Sequence, residues 1–260
     1  MEPAIFAAPS PRFILRHAKL LAFIVVAFVA LGTARALAGP PFVTDDPEPT
    51  DYRHWEIYSG FQYENDGSGN SSASVPFAEF NYGAMPNVQV SISGQLNVMN
   101  TGIEGRNGYG VTEFGIKTRF VQESGDHPQV SFYPSVKTSV VAGAHAVTLL
   151  PVWLQKSSGR WTAFGGGGVY LNGSPGRRDS TFVGGALERS ISPGTTVGAE
   201  LYHQSADAIG DTDTTAANIG LIAQVGKYHA ILFSAGRALH GDDTFSAYAS
   251  YEFALGPERR

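Results

Sequence analysis

From Val88 to Val98 the chain reads VQVSISGQLNV, and apolar and polar residues alternate without a slip. Val88, Val90, Ile92, Leu96 and Val98 fall on one side, with Gly94 among them. Gln89, Ser91, Ser93, Gln95 and Asn97 fall on the other. A period of two is that of an extended strand with one apolar and one polar face. Eleven residues is close to the 9–11 that a tilted strand needs to cross a bilayer. Similar segments recur to the end of the chain. They predict about twelve strands, at 53–64, 73–83, 87–98, 109–121, 129–141, 144–156, 160–171, 179–190, 194–205, 214–225, 228–238 and 243–254. Connections of longer and shorter length mostly alternate, with Gly143 and Gly241 in loops shorter than that rhythm predicts. The alternation is that of an up-and-down barrel with long outer loops and short periplasmic turns. The expected fold is therefore all-β: a transmembrane up-and-down antiparallel β-barrel of about twelve strands.

The faces follow strand by strand. In the first, Trp55, Ile57, Phe61 and Tyr63 point to lipid, and His54, Glu56, Tyr58 and Gln62 to the lumen. In the fifth, Val130, Phe132, Val136 and Val140 point out, and Gln129, Ser131, Tyr133, Ser135 and Lys137 in. In the ninth, Val197, Ala199 and Leu201 point out, and Glu200, Tyr202 and Gln204 in. In the last, Phe245, Ala247, Ala249, Tyr251 and Phe253 point out, and Ser246, Tyr248, Ser250 and Glu252 in. Trp55, Tyr63, Tyr82, Tyr228, Tyr251 and Phe253 lie near strand ends, where aromatic girdles sit.

The first 38 residues are read apart from this pattern. Arg12, Arg16, His17 and Lys19 precede the apolar run Leu20–Leu31, and Ala36-Leu37-Ala38 is a small-x-small cleavage site. This is the pattern of a secretory signal peptide; the run is shorter than the roughly 20 residues of a spanning helix. Residues 39–52 form a proline-rich acidic periplasmic leader, residues 53–254 the barrel, and 255–260 a short tail. Residues 1–38 carry Arg12, Arg16, Lys19 and Arg35 against Glu2, a net of +3. The total of −5 thus leaves −8 on the remainder. An acidic remainder gives nucleic acid no basic patch to bind. The chain has no cysteine, so no disulfide framework is available.

Six phrases carry a resemblance: Pro41–Pro47 (PFVTDDP), Tyr52–Glu56 (YRHWE), Leu150–Lys156 (LPVWLQK), Gly165–Tyr170 (GGGGVY), Gly198–His203 (GAELYH) and Leu232–Arg237 (LFSAGR). Together they resemble an outer-membrane β-barrel porin family whose members are labelled transporters or linked by name to phenol degradation. The resemblance spans most of residues 39–260. It implies a barrel in the bacterial outer membrane and passage of small molecules, and it brings no catalytic set.

Candidate chemistry concentrates on the inner face. Glu56, Glu79, Glu113, Glu188, Glu200 and Glu252 fall on inward positions, with Lys117, Arg119 and Lys137 as counter-charges. Such charges set pore selectivity or form ion pairs that brace a narrow barrel. Twelve strands enclose less than the 16–18 of open aqueous porins, so bracing is expected of most of these residues and selectivity of a few. Gly165–Gly168 lacks the Lys-Ser/Thr of a phosphate loop. In a barrel wall it lets the strand bend or another backbone approach, and it leaves a bare patch against which the leader could fold back as a plug.

Asp45, Asp46, Glu48 and Asp51 offer oxygens to calcium, but the spacing lacks a ligand-loop glycine and reads as a solvated acidic leader. Asp207, Asp211 and Asp213 offer loose divalent contacts in an outer loop. His203 and Ser205, two apart on one face, are the only hint of a lipid hydrolase, and no orienting group is identifiable. The histidines show no metal-ligand spacing. The expectation is a monomeric, non-enzymatic barrel without cofactor or metal, in contact with outer-membrane lipid and a small-molecule solute. It mediates passive or weakly selective passage of small, aromatic or hydrophobic molecules. The alternatives are a closed structural or surface-interaction barrel, an outer-membrane lipid hydrolase, and a soluble secreted β-protein.

Overall fold

The alternation closes into a barrel. The computed structural model describes residues 41–67, 70–100, 107–139 and 145–257; the expected signal peptide lies outside them. The strands are β1 (Trp55–Asn65), β2 (Ser71–Met85), β3 (Val88–Asn100), β4 (Gly108–Val121), β5 (Gln129–Phe132), β6 (Ser135–Ser139), β7 (Val147–Ser158), β8 (Trp161–Asn172), β9 (Ser180–Ser192), β10 (Thr195–Gln204), β11 (Thr214–Gly226), β12 (His229–His240) and β13 (Phe245–Leu255). Each pairs antiparallel with its neighbour in the chain, and β1 pairs β13 from Trp55↔Leu255 to Asn65↔Phe245. No open edge is left, which is the condition for a sheet to stand in hydrocarbon.

There are thirteen strand segments and twelve staves. The predicted strand 129–141 is divided at Tyr133-Pro134, and both pieces occupy one place between β4 and β7. Pro134 has no N–H to give the ladder. Its carbonyl still accepts from Ile116 N at 3.1 Å, and Tyr133 N donates to Pro151 O at 3.2 Å, so the stave stays in register. The turn between β2 and β3 shows local chemistry at work. Pro86 sets the first turn position, and Asn87 takes φ 65° at the second, as a type II turn requires.

The outer wall is apolar and uncovered: Phe120 is 61% exposed and Ile219 69%. In water such a belt would be a large unpartnered patch; around a closed barrel it is the lipid face. Aromatics ring both ends. Trp55 and Tyr82 meet at 4.6 Å, tilted by 32°, at the short-turn end, where Tyr228, Tyr251 and Phe253 also lie, and Tyr63 meets Phe245 at 6.4 Å at the long-loop end.

The inner face is largely filled. Tyr58, Phe77, Ile222, Ala230 and Leu232 pack with Tyr248 against the wall formed by β1, β2 and β11–β13. Fully burying an aliphatic side chain such as Leu232 is worth about 1.5–3 kcal/mol. Phe77 and Tyr248 approach to 5.3 Å within the cluster, and at Gly60 the β13 main chain comes so close that a Cβ would collide with Ala249 O. With one flank of the lumen occupied by this cluster, the polar groups gather across the remaining space.

Candidate functional site

The leader is not a free segment. Read as a solvated acidic stretch, with a fold-back plug as the alternative, residues 41–50 run inside the barrel, across the lumen and down to the short-turn end. Their course follows the residues that hold them. Ser234 on β12 donates its hydroxyl to Pro41 O. Phe42 then lies where β10 and β11 carry no side chains: a Cβ on Gly220 would stand 2.7 Å from its ring, and one on Gly198 3.0 Å. Its ring centre is 6.4 Å from that of Phe164. Thr44, with none of its surface exposed, fills the space over Gly184.

Glu200 on β10 grips the backbone itself. Its carboxylate accepts from Val43 N at 3.2 Å, from Thr44 N, and from Asn218 Nδ2 at 2.7 Å. Glu200 is 3% exposed, and a buried carboxylate is tolerable only with donors of this kind.

The second half of the leader is held by charge. Lys117 on β4, 4% exposed, reaches Asp45 Oδ1 at 3.0 Å and Asp46 O at 2.9 Å, and its ammonium lies 3.7 Å from the Asp46 carboxylate. The same ammonium is 5.0 Å from the centre of the Tyr133 ring. Arg119 meets Glu48 Oε1 at 2.8 Å, while Gln129 donates to Glu48 Oε2 at 3.0 Å. Thr50 N donates to Gln89 Oε1 at 2.8 Å, and the Thr50 hydroxyl donates to Glu56 Oε2 at 3.0 Å. Gln89 continues through Asn81 to Glu79 by bonds of 3.0 and 2.8 Å. Burial raises the Asp46 carboxyl to about 6, against the pull of Lys117 and of the Glu48 backbone N–H and with the push of Asp45.

The nine candidates divide by partner. Glu56, Lys117, Arg119 and Glu200 hold the leader. Glu113 and Lys137 pair across β4 and β6 at 3.4 Å. Glu79 ends the hydrogen-bond chain that begins at Thr50. Glu188 lies beside Gly198, and Glu252 sits opposite Tyr58, two places from Glu56. Lys117 and Arg119, expected to neutralise strand glutamates, instead face leader acids about 70 residues away in sequence. Asp45, Asp46 and Glu48, weighed as calcium ligands or solvated charge, are engaged by these two cations.

Sequence reasoning missed Gln89, Gln129 and Ser234 as leader contacts, and Asn218 as the support of Glu200, because neutral inward residues look alike. It also missed the seats at Gly184, Gly198 and Gly220, although isolated strand glycines signal close approach. The run Gly165–Gly168 admits neighbouring backbone, as expected. Added Cβ atoms there would meet β7 and β9 main chain rather than the leader.

Other expectations fall on the long-loop rim. His203 Nδ1 is bonded to Thr215 Oγ1 at 2.9 Å, and the Ser205 hydroxyl accepts from Thr181 N at 2.8 Å. The two are engaged by different residues rather than by each other. Asp207 pairs with Arg177 at 3.2 Å, and Asp213 accepts from Ala206 N at 2.9 Å.

Around the leader the lumen opens into two chambers, the first running beside it from Gln89 near the short-turn end to Thr214 at the long-loop end, the second lying toward the long loops. Val43, Asp45, Glu113 and Tyr133 border both. The first, of 560 Å³, lies toward β1–β4 and β11–β13 and is rich in carboxylates, among them Glu56, Glu64 and Glu79. The second, of 440 Å³, lies toward β6–β10 and is faced by Tyr133, Trp153, Tyr170 and Phe182. Gly166 makes room for the indole of Trp153, since a Cβ there would come within 2.9 Å of Cε3.

No protein-family model matches this chain, and no curated protein matches it in sequence. Solved structures match in shape. An outer-membrane channel from Pseudomonas putida F1 is 12% identical, with a TM-score of 0.64 over 87% of this chain and all of that one. The KdgM porin is 8% identical, with a TM-score of 0.54 over 76% of this chain and 99% of that one. It has also been solved in complex with disordered oligogalacturonate. At such identities the likeness speaks for architecture. The resemblance read from the six sequence phrases holds at that level: this chain has the fold of the outer-membrane β-barrel channels.

Proposed function

We propose that the protein is a bacterial outer-membrane channel, with the long loops outside and the short turns in the periplasm. Small molecules, including aromatic and apolar ones, pass down its lumen passively or with weak selectivity, and the leader forms the constriction. The reading rests on one observation above others: two chambers, of 560 and 440 Å³, stand inside the closed wall beside the leader. Selectivity by sign follows from the unequal count of inward charges. Glu64, Glu79, Glu188 and Glu252 form no ion pair among the described residues, whereas each of the three inward cations faces an acid. A lumen of that sign favours cations over anions. No step of this activity needs a cofactor, a metal or a catalytic group, and the barrel works as a monomer.

Planar-bilayer recordings of refolded protein test the reading. Small, cation-preferring single-channel steps are expected, together with uptake of small uncharged solutes into proteoliposomes. A barrel that neither conducts nor admits solutes ends the proposal. A second reading, a barrel closed by its own leader, is favoured by the number of leader contacts. It predicts silent recordings that become conducting when residues 41–50 are deleted.

A further inference from the structure

We propose that Arg160, Trp161 and Arg189, at the short-turn end of the outer wall, form a binding site for the phosphate of an anionic phospholipid such as phosphatidylglycerol. The inference rests on the channel reading in one respect: the barrel stands in a bilayer with its short turns in the periplasm. The lipid would then belong to the periplasmic leaflet. Three observations carry the site.

The first is where Arg189 stands. On β9 the inward places are taken by Phe182, Gly184, Ala186 and Glu188, so Leu187, Arg189 and Ile191 point outward. Across the ladders Arg189 lies opposite Trp161 on β8 and Val197 on β10. These four neighbours, Leu187, Ile191, Trp161 and Val197, are hydrophobic and exposed. A cation on such a face is costly at the bilayer midplane and nearly free of cost at headgroup level. Trp161 opens β8 as Trp55 opens β1. Arg189 therefore shares the level of the aromatic belt, where the headgroups lie.

The second is the missing carboxylate. The Arg189 guanidinium lies 5.1 Å from the centre of the Trp161 ring, and among the described residues it forms no ion pair. Arg160, exposed in the turn between β7 and β8, forms none either. Its carbonyl accepts from Ser190 N at 2.9 Å, which fixes its main chain beside Arg189. The long-loop end is built the other way. There Arg177, Arg178 and Arg237 each face an aspartate: Asp207, Asp213 and Asp243. Two neighbouring cations without an acid, on a face that meets lipid, await an anion from the lipid itself.

The third is the fit of the chemistry. A planar guanidinium presents paired N–H groups that match two phosphate oxygens. The indole has an apolar body for the acyl chain and a polar edge for the interface. Leu187, Val197 and Ile191 continue the apolar contact. A zwitterionic headgroup brings its own cation and gains less, so the arrangement selects a lipid with net negative charge.

The test is native mass spectrometry of the full chain, offered equal amounts of phosphatidylglycerol and phosphatidylcholine with the same acyl chains. The first lipid retained should be phosphatidylglycerol, by about tenfold or more, given about fivefold per cation near a membrane surface. Arg189→Gln and Arg160→Gln should each cut that preference by about fivefold. Arg237→Gln removes a cation at the opposite rim and should leave it unchanged. Heat-modifiable gel migration checks that each variant is a folded barrel, and Arg160→Gln, in an exposed turn, keeps the test alive should Arg189→Gln fail to fold. Equal retention of the two lipids, a preference that survives both substitutions, or an equal loss in Arg237→Gln overturns the inference. So does displacement of the lipid by soluble glycerol phosphate, which would make this a site for a free anion. Conductance without lipid preference removes the site and leaves the channel standing. A chain that enters no bilayer removes the membrane reading and the site with it.

Discussion

The two halves of the leader are held by opposite means. Pro41–Thr44 is seated where the barrel lacks side chains, over Gly184, Gly198 and Gly220, and its backbone N–H groups are taken by one carboxylate, Glu200. Asp45–Thr50 is seated where the barrel supplies them: Lys117, Arg119, Gln129, Gln89 and Glu56 each meet a leader atom. The first half is recognised by shape and main chain, and the second by charge. Shape complementarity is insensitive to salt, and charge pairing weakens with it unless buried. The contrast thus predicts where the leader loosens first, and it can be broken at either end.

The largest effect belongs to Lys117. Lys117→Met keeps the stem and removes the ammonium that faces Asp45 and Asp46. Stripping one partner from a buried ion pair costs about 3–5 kcal/mol, so the second half of the leader should leave its seat. The chain is free of cysteine, and Thr44 is wholly buried. Maleimide labelling of Thr44→Cys, slow in the parent, should become fast beside Lys117→Met, and single-channel conductance should rise. Labelling that stays slow would show that the shaped half holds without the charged one.

Glu200→Gln is expected to come next. One acceptor oxygen remains where two held Val43 N and Thr44 N, and loss of a charge-assisted bond costs about 1.5–3 kcal/mol. The same labelling assay reads it, with a smaller acceleration. Gly220→Leu attacks the shape alone. Its side chain would occupy the seat of the Phe42 ring, and overpacking of this kind typically costs about 1–3 kcal/mol. Conductance should rise with no change in cation preference, because no charge is altered. A shift in preference would mean that the wall itself has moved.

The sequence makes the wall easier to read than its contents. Alternation over Val88–Val98 locates β3, and the same period places Glu56, Glu200 and Glu252 inward, because every second side chain must share a face. Pro134 interrupts a hydrogen-bond ladder without interrupting that period, so the break between β5 and β6 is invisible to a reading by alternation. The leader is harder still. Lys117 and Asp45 are 72 residues apart, and no local pattern ties a cation on one strand to an acid ahead of the first. Nearby Glu113, on the same face of β4, looks like the natural partner and instead pairs with Lys137. Gly198 and Gly220 are legible only as interruptions in two strands; that they face each other's neighbour across one ring emerges from the register Gly198↔Gly220. The aromatic chamber is likewise assembled from β6–β10, strands whose inward rings carry no mark of belonging together.

The smallest effect expected is that of pH, and it bears on the charged half alone. In the docked leader the Asp46 carboxyl stands at about 6, raised by burial above its ordinary 3.8. A raised carboxyl binds its proton more tightly docked than free. Above pH 6 it is ionised in both states, and docking carries the full desolvation penalty. As pH falls from 6 toward 4 the docked form takes up a proton first, so the leader is held more firmly. One proton sets the limit, at most about tenfold in the docked-to-free ratio per pH unit. Asp45 and Glu48 beside it, with Lys117 between, share the same pocket, so the slope must be assigned by substitution. Conductance should decline between pH 7 and pH 5, and Asp46→Asn should flatten that decline while leaving labelling of Thr44→Cys slow. A slope that survives Asp46→Asn would place the proton on one of the inward glutamates, and the charged half of the leader would then be a bystander to the pH response rather than its origin.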